Sequence, residues 1–124
     1  ASLDREGGGE ETSITRDDAY AAYLDAAPHR ISKFSLRFLK NLADLIDGAR
    51  AAASRVTVPT LVLSAEHDVF IEADRIRSFF ELLASPEKHY LHYPGTRHLL
   101  LHDPETPQVI ADVAQWLDRQ AREA

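Results

Sequence analysis

The 124-residue sequence has 14 basic and 20 acidic side chains, a formal net charge of -6 and 44% hydrophobic residues. These values predict one globular domain with a core, and the absence of a dense Lys/Arg cluster argues against a nucleic-acid partner. The sequence has no cysteine, which excludes disulfides and thiolate metal sites. No apolar run reaches the roughly 20 residues of a transmembrane helix and no signal peptide is recognisable. We expect a cytoplasmic location, with which the absence of cysteine is compatible.

The amino terminus is polar, and residues 1–14 are predicted to form a flexible linker. This stretch contains the run Gly7-Gly8-Gly9, but no strand precedes the glycines and no lysine or serine follows at the spacing of a phosphate-binding loop. The sequence also contains no methionine. We therefore expect the chain to be a processed, edited or partial form of a longer protein.

Two helices are predicted after the linker. Thr15, followed by acidic residues, is a favourable helix start, and this helix is expected to stop near Pro28. A longer helix is expected over residues 31–48, ending at or weakened by Gly48, and residues 49–54 are expected to add a short turn. The apolar residues of the longer helix recur at steps of three and four and so share a face: Ile31, Phe34, Phe38, Leu42 and Leu45.

The second half of the sequence predicts the order strand, helix, strand, helix, at residues 58–64, 72–84, 89–93 and 106–122. Consecutive apolar residues in the first strand are typical of a parallel strand that is buried on both faces. The order implies a parallel pair with a right-handed crossover. Because two parallel strands do not form a stable sheet alone, further strands are predicted outside this sequence. The residues of the first of these helices that are expected to face inward are Ile76, Phe79, Phe80 and Leu83. The apolar face of the second helix is expected to consist of Val109, Ile110, Val113, Trp116 and Leu117.

One carboxylate and one imidazole follow the two predicted strands. Asp68 lies in the acidic loop after the first strand, and His98 lies just past Pro94-Gly95, where the second strand is expected to break. Taken singly, each could be an ordinary loop residue, since Asp favours turns. Their placement after successive strands favours a joint role, in which a carboxylate orients a neutral imidazole that takes a proton from a nucleophile.

Residues 59–116 resemble the carboxy-terminal segment of the α/β-hydrolase fold, and most closely its monoacylglycerol lipase and lysophospholipase-like branch. Three stretches carry the resemblance: PTLVLSAEHD at 59–68, YPGTRH at 93–98 and LLLHD at 99–103. The first is similar to the family's acid-bearing loop after its seventh strand. The second is similar to the loop that holds the catalytic histidine, and the third to the stretch that follows it.

The resemblance implies an α/β architecture of which this chain holds the carboxy-terminal part. Residues 56–124 would form the last two parallel strands with their flanking helices, in a sheet that is incomplete in this chain. Residues 15–55 would form a helical cap or lid. Asp68 would be the orienting acid and His98 the general base, in the family's chain order of serine, acid and histidine. No cofactor is implied.

The sequence departs from the family pattern at the nucleophile. No serine here stands in the G-x-S-x-G setting of the family's strand-to-helix elbow. We therefore expect an upstream half of the same hydrolase to be the partner that supplies the nucleophile and the oxyanion hole, and this chain alone to be inactive. The expected reaction is cleavage of a carboxylic ester through an acyl-enzyme. Two alternatives stay open: an aspartate nucleophile acting on epoxides or haloalkanes, and a non-catalytic interaction fragment.

Five apolar side chains are candidates for contact with a small apolar ester. Phe34, Phe38 and Leu42 lie on the apolar face of the proposed cap, which could equally be ordinary core. Val69 and Phe70 follow the candidate acid directly. Binding pockets of this class are mainly apolar, which favours these residues as lining.

No metal site is predicted. His98 and His102 are four residues apart, a spacing that binds zinc on a helix, but no third ligand is placed convincingly. His102 is expected instead to cap or contact the last helix.

Overall fold

The computed structural model describes residues 13–29, 31 and 33–123. The predicted linker at residues 1–14 lies outside the described residues except for its last two positions. Two helices precede a strand–helix–strand–helix unit, and single 3₁₀ turns follow the second helix and the second strand. The elements are α1 (Asp18–Ala26), α2 (Leu36–Ala52), β1 (Thr60–His67), α3 (Ala73–Leu82), β2 (Lys88–Arg97) and α4 (Thr106–Glu123), with the turns at Ala53–Arg55 and Leu100–His102.

Within the described residues the sheet consists of β1 and β2, which pair in parallel as predicted. Thr60 lies opposite Lys88, and the register is regular as far as Ala65 opposite Tyr93. The register then shifts, so that His67 lies opposite Arg97. The expected break of the second strand at Pro94-Gly95 is therefore wrong, because β2 absorbs these residues in a bulge and continues pairing.

Helix α2 begins later and ends later than the sequence suggested. It starts after Ser35, whose Oγ accepts the N–H of Phe38 at 3.1 Å and caps the first turn. Phe34 consequently lies outside the helix. The helix continues through Gly48 to Ala52, since one interior glycine costs only about 1 kcal/mol relative to alanine and the flanking residues favour helix. The predicted separate turn at 49–54 is thus the end of α2 and a 3₁₀ turn.

The two sheet faces are covered by different helices. Side chains alternate along a strand, so Tyr90 and Tyr93 point to opposite faces. The ring of Tyr90 contacts α3, where Phe80 lies 5.5 Å away between ring centroids. The hydroxyl of Tyr93 donates to Asp112 of α4 at 3.0 Å. This arrangement places β1 and β2 between α3 and α4.

The apolar face of α4 is only partly buried. Val109 is completely buried, whereas Ile110 and Leu117 are 55% and 54% exposed. The predicted apolar face of this helix is therefore only partly covered by the described residues. No helix of the described residues is long and apolar enough to cross a bilayer.

A lysine closes the carboxyl end of α3 and ties it to β2. The Nζ of Lys88, the first residue of β2, donates to the carbonyls of Phe80, Glu81 and Leu83 at 3.0, 3.1 and 2.8 Å. These carbonyls belong to the last turn of the helix and its cap, where the regular helical donors run out and, within the described residues, only Phe80 also accepts a backbone N–H, from Leu83. The crossover thus enters β2 in a fixed position, which sets the register against β1.

The hydroxyl of Tyr93 makes the free energy of unfolding depend on pH in the alkaline range. Burial raises the pKa of Tyr93 to about 12, and the hydrogen bond to Asp112 and its negative charge act in the same direction. An unfolded tyrosine titrates near pH 10, so between about 10 and 12 the unfolded chain loses a proton that the folded chain keeps. The stability contributed by Tyr93 is therefore present below pH 10 and is lost as the pH rises towards 12.

We expect Tyr93→Phe to lose less stability than the unaltered protein when the pH is raised from about 9.5 to about 11.5, because phenylalanine has no proton to lose in that window. Urea unfolding midpoints at the two pH values measure the difference. Tyr23→Phe makes the same chemical change at a side chain that is 67% exposed and should keep the full alkaline loss. Equal losses in all three proteins would contradict the expected linkage.

Candidate functional site

Asp68 follows the carboxyl end of β1, where its side chain both stabilises a turn and orients one carboxylate oxygen. Its Oδ1 accepts the backbone N–H groups of Phe70 at 2.8 Å and Ile71 at 3.1 Å. This is the local hydrogen bonding for which aspartate is favoured in turns. The side chain is only 8% exposed. The turn fixes the carboxylate plane and leaves Oδ2 for another donor.

That second oxygen faces His98. The His98 Nδ1 lies 2.8 Å from Asp68 Oδ2, and the imidazole side chain is 35% exposed. A carboxylate only accepts hydrogen bonds, so the proton is assigned to Nδ1 and the lone pair to Nε2. No hydrogen bond to Nε2 is formed within the part of the chain that the structure describes. The imidazole is therefore oriented at one nitrogen and available as a proton acceptor at the other.

The ring of Phe70 supports the imidazole. It meets His98 edge-on, with 4.8 Å between centroids and an interplanar angle of 76°. Edge-to-face contacts of this kind are favourable for rings and restrict their rotation. The turn that begins at Asp68 thus supplies both the carboxylate and an apolar contact to the same imidazole.

The bulge in β2 directs the chain to His98. Gly95 adopts a φ of 72°, a left-handed value that favours glycine. Its N–H donates to Glu66 Oε2 at 2.6 Å across the strand pair. Thr96, which is fully buried, donates its hydroxyl to the carbonyl of Tyr93 at 2.7 Å. These bonds hold the bulge two to three residues before the imidazole.

The predicted substrate-binding residues fall into two groups. A cavity of about 340 Å³ adjoins the candidate acid and includes Val69 and Phe70 in its lining, together with Asp68, Ile71, Glu72 and Arg75. Phe34, Phe38 and Leu42 do not line it, and they are 54%, 46% and 41% exposed. Phe34 and Phe38 stack on each other at 5.0 Å. The structure therefore brings the residues after Asp68 to the site and leaves the face of α2 away from this cavity.

Ser64 is the one serine that the described chain brings into hydrogen-bond contact with a histidine. Its Oγ lies 2.9 Å from His92 Nδ1 and 2.6 Å from the Tyr90 hydroxyl. Ser64 is only 1% exposed, which leaves no access for a substrate carbonyl. Its contacts join β1 to β2 on the α3 face, and this serine has the surroundings of a structural residue.

His102 makes a ring contact with the first helix that the sequence did not indicate. Its ring stacks on Tyr20 of α1, with 3.8 Å between centroids and an interplanar angle of 4°. The 3₁₀ turn that contains His102 also lies against α4, and the expected contact of the His102 side chain with that helix stays a prediction. Across the described residues, no three His, Asp or Glu side chains are arranged to hold a metal ion.

A buried carboxylate for which the sequence suggested no role, Asp103, lies at the end of the loop that begins at His98, here called the imidazole loop. Asp103 is 4% exposed and accepts the N–H of Arg16 at 2.7 Å and the N–H of Arg97 at 2.6 Å. The Leu99 N–H donates to the carbonyl of Ile14 at 2.9 Å. These bonds join segments far apart in sequence. In the sequence, Asp103 ends the LLLHD stretch at 99–103 that carried the resemblance, but its donors could not be read from that stretch.

Comparison with solved structures identifies the fold. A monoacylglycerol lipase from Paleococcus ferrophilus superimposes with a TM-score of 0.79 at 21% identity, over 94% of this chain and 45% of the lipase. A soluble variant of monoglyceride lipase from Saccharomyces cerevisiae, in complex with a substrate analogue, gives 0.71 at 22% identity, over 96% of this chain and 44% of the lipase. At these identities the likeness shows the fold, which is that of the α/β hydrolases.

Sequence comparison agrees with the fold. The chain is 28% identical over 107 residues to a monoacylglycerol lipase from Mycolicibacterium smegmatis, covering 85% of this chain and 38% of that protein. The chain thus spans less than half the length of each of these three relatives. A family model described as Hydrolase_4, serine aminopeptidase S33, matches residues 2–105. The chain belongs to this family of α/β hydrolases.

Proposed function

We propose that this chain is the carboxy-terminal part of a serine hydrolase that cleaves carboxylic esters. Asp68 is its orienting acid and His98 its general base. The observation that supports these roles is the 2.8 Å hydrogen bond between His98 Nδ1 and Asp68 Oδ2, with Nε2 free of hydrogen bonds within the described residues. An imidazole held at one nitrogen and open at the other is the arrangement that nucleophilic catalysis needs.

The proposed reaction has two steps. His98 Nε2 takes the proton of a serine hydroxyl as the oxygen attacks the ester carbonyl, and then gives it to the departing alcohol. The resulting acyl-enzyme is cleaved by a water molecule that the same nitrogen deprotonates. Asp68 keeps the proton on Nδ1 and stabilises the imidazolium that forms in both steps. Neither step requires a cofactor.

The nucleophile and the oxyanion hole are proposed to lie in an upstream half of the same protein. No serine of this sequence stands in the G-x-S-x-G elbow. The chain also spans only 38% of the Mycolicibacterium smegmatis lipase. We further propose that residues 15–55 are the cap of the assembled enzyme and that residues 56–124 are part of its core. A cytoplasmic location remains part of the proposal.

The proposed substrate is a small apolar ester of the monoacylglycerol or lysophospholipid class. The relatives by sequence and by structure are named as monoacylglycerol or monoglyceride lipases. Val69 and Phe70 line the cavity next to the acid and are proposed to contact the acyl chain. Phe34, Phe38 and Leu42 are proposed to join them from the cap in the assembled enzyme.

Hydrolysis of epoxides or haloalkanes through an aspartate nucleophile is the second candidate. The same pair of Asp68 and His98 would then activate the water that cleaves the ester intermediate. A third possibility is a fragment that binds partners without catalysis, because a fold does not fix a reaction. The family match to serine hydrolases favours the first candidate.

A covalent serine probe separates the three. The intact protein, with its upstream half, is treated with a fluorophosphonate, digested and analysed by mass spectrometry. We expect one adduct on a serine outside these 124 residues, together with loss of p-nitrophenyl butyrate hydrolysis. The chain without that half should remain unlabelled. Epoxide or haloalkane hydrolysis without an adduct would support the second candidate, and absence of labelling and of all three activities would support the third.

A further inference from the structure

We propose that Asp103 is a positioning residue for His98, a role that rests on the proposed function of His98 as general base. Asp103 does not touch the imidazole. Its two carboxylate oxygens accept backbone N–H groups from two separate segments, Arg97 directly before His98 and Arg16 before α1. At 4% exposure this carboxylate is almost completely buried. Burial of a carboxylate is costly unless its oxygens accept hydrogen bonds, and here each oxygen has a donor.

The geometry fixes the chain on both sides of His98. On one side, Asp103 Oδ2 holds the Arg97 N–H at 2.6 Å. On the other side, the Leu99 N–H donates to the Ile14 carbonyl at 2.9 Å. Asp103 Oδ1 holds the segment that contains Ile14, through the Arg16 N–H at 2.7 Å. One carboxylate therefore holds the Arg97 amide before His98 directly, and it also holds the segment whose Ile14 carbonyl binds the Leu99 amide after it.

A helix cap would be the ordinary role of an aspartate at this position. The side chain of a capping aspartate accepts the N–H groups of the first helical turn. Here the N–H of Thr106, the first residue of α4, is bonded instead to the backbone carbonyl of Asp103 at 2.9 Å. Both side-chain oxygens are directed to the amides of Arg16 and Arg97. The carboxylate thus serves the imidazole loop.

Two neighbouring contacts strengthen the same junction. The Thr15 hydroxyl donates to the carbonyl of His102, and the Arg16 guanidinium pairs with Glu105. Thr15 is 2% exposed, so its hydroxyl bond is shielded from water. The segment before α1 therefore lies against the loop from His98 to Asp103. This packing would transmit a displacement of either segment to the imidazole.

The first test is spectroscopic and does not depend on ester hydrolysis. In ¹⁵N-histidine-labelled intact protein, we expect Asp103→Asn to broaden or shift the Nδ1–H signal of His98, because an amide offers only one acceptor to the two N–H donors. Asp112→Asn is the matched control. It changes a carboxylate that accepts bonds from the side chains of Tyr93 and Gln108 and none from the backbone of residues 97–103, and it should leave the His98 signal in place.

The second test is kinetic. A base displaced by a fraction of an ångström loses rate more than binding, so we expect kcat to fall by about tenfold or more in Asp103→Asn while KM stays within about twofold. Asp103→Glu keeps the charge but moves the carboxylate by one methylene, and it should show the same pattern. A folded Asp103→Asn protein with unchanged His98 signals and unchanged kcat would overturn the proposal.

The outcome is also defined if a variant does not fold. If only the Asn variant fails to fold, the Glu variant is judged by the same two criteria. If both fail, Asp103 is a requirement of the whole fold and its role in positioning is overturned. If the unaltered protein hydrolyses no ester but its His98 signal responds to Asp103→Asn, the positioning of the ring stands and the proposed function fails.

Discussion

Replacement of His98 by alanine is expected to lower kcat for ester hydrolysis by the intact protein by at least about 10³-fold. The change removes the proposed acceptor of the serine proton in both steps of the reaction, and removal of such a base costs this much or more in serine hydrolases. The effect should fall on kcat rather than on KM, because the imidazole acts on the reacting atoms. Initial rates with p-nitrophenyl butyrate measure it.

The control for this variant is His89→Ala. His89 is an exposed histidine on β2, the strand that leads to His98, at the end away from the bulge, and its loss should leave the rate within about twofold. Since the His98 side chain is partly exposed, His98→Ala should keep its thermal unfolding midpoint within a few degrees. A folded His98→Ala protein with full activity would show that the base lies elsewhere.

Asp68→Asn is expected to lower kcat by about 10⁴-fold through the tautomer of His98. Two backbone N–H groups bind Oδ1, so the amide oxygen of asparagine keeps that position and its NH₂ group must face His98 Nδ1. Facing a donor, Nδ1 becomes the acceptor and the proton moves to Nε2. The nitrogen that should take the serine proton is then already protonated.

The change of tautomer in Asp68→Asn can be observed directly by ¹⁵N NMR. The ¹⁵N spectrum of the labelled variant should show the proton on Nε2, while the turn at residues 68–71 keeps its amide shifts. Asp44→Asn, at a side chain that is 62% exposed and paired with Lys40, is the matched change and should leave both the spectrum and kcat unaltered. Full activity in Asp68→Asn would remove Asp68 from the proposed mechanism.

The parallel unit was predictable because its signals are local. A run of consecutive apolar residues predicted β1, and the helical period of residues after Glu72 and Thr106 predicted α3 and α4, whose observed bounds differ from the predicted ones by only a few residues. The order of the elements then restricts the connection to a parallel crossover. The separation of Asp68 and His98 along the chain followed from this unit, and so did the expectation that they meet.

The features that escaped prediction depend on contacts between distant residues. Pro94-Gly95 signals a break as readily as a bulge, and the bond from the Gly95 N–H to Glu66 supports continued pairing. In the sequence, Asp103 is only the last residue of the stretch that follows the candidate base. The Arg16 N–H that it binds lies 87 positions away along the chain and could not be anticipated. The start of α2 depended on the hydroxyl of Ser35, which competed with an apolar pattern that had already begun at Ile31.

Under the proposed function, the two roles of the Asp68 carboxylate link substrate choice to reaction rate. One oxygen of this carboxylate shapes the turn that presents Phe70 and Ile71 to the cavity, and the other orients the imidazole. A substitution at 70 or 71 that reshapes the cavity can also displace the Asp68 carboxylate, which keeps the proton on His98 Nδ1. Selection for a new acyl chain at these positions would therefore be constrained by turnover, and diversification of specificity is expected at sites that do not share this carboxylate.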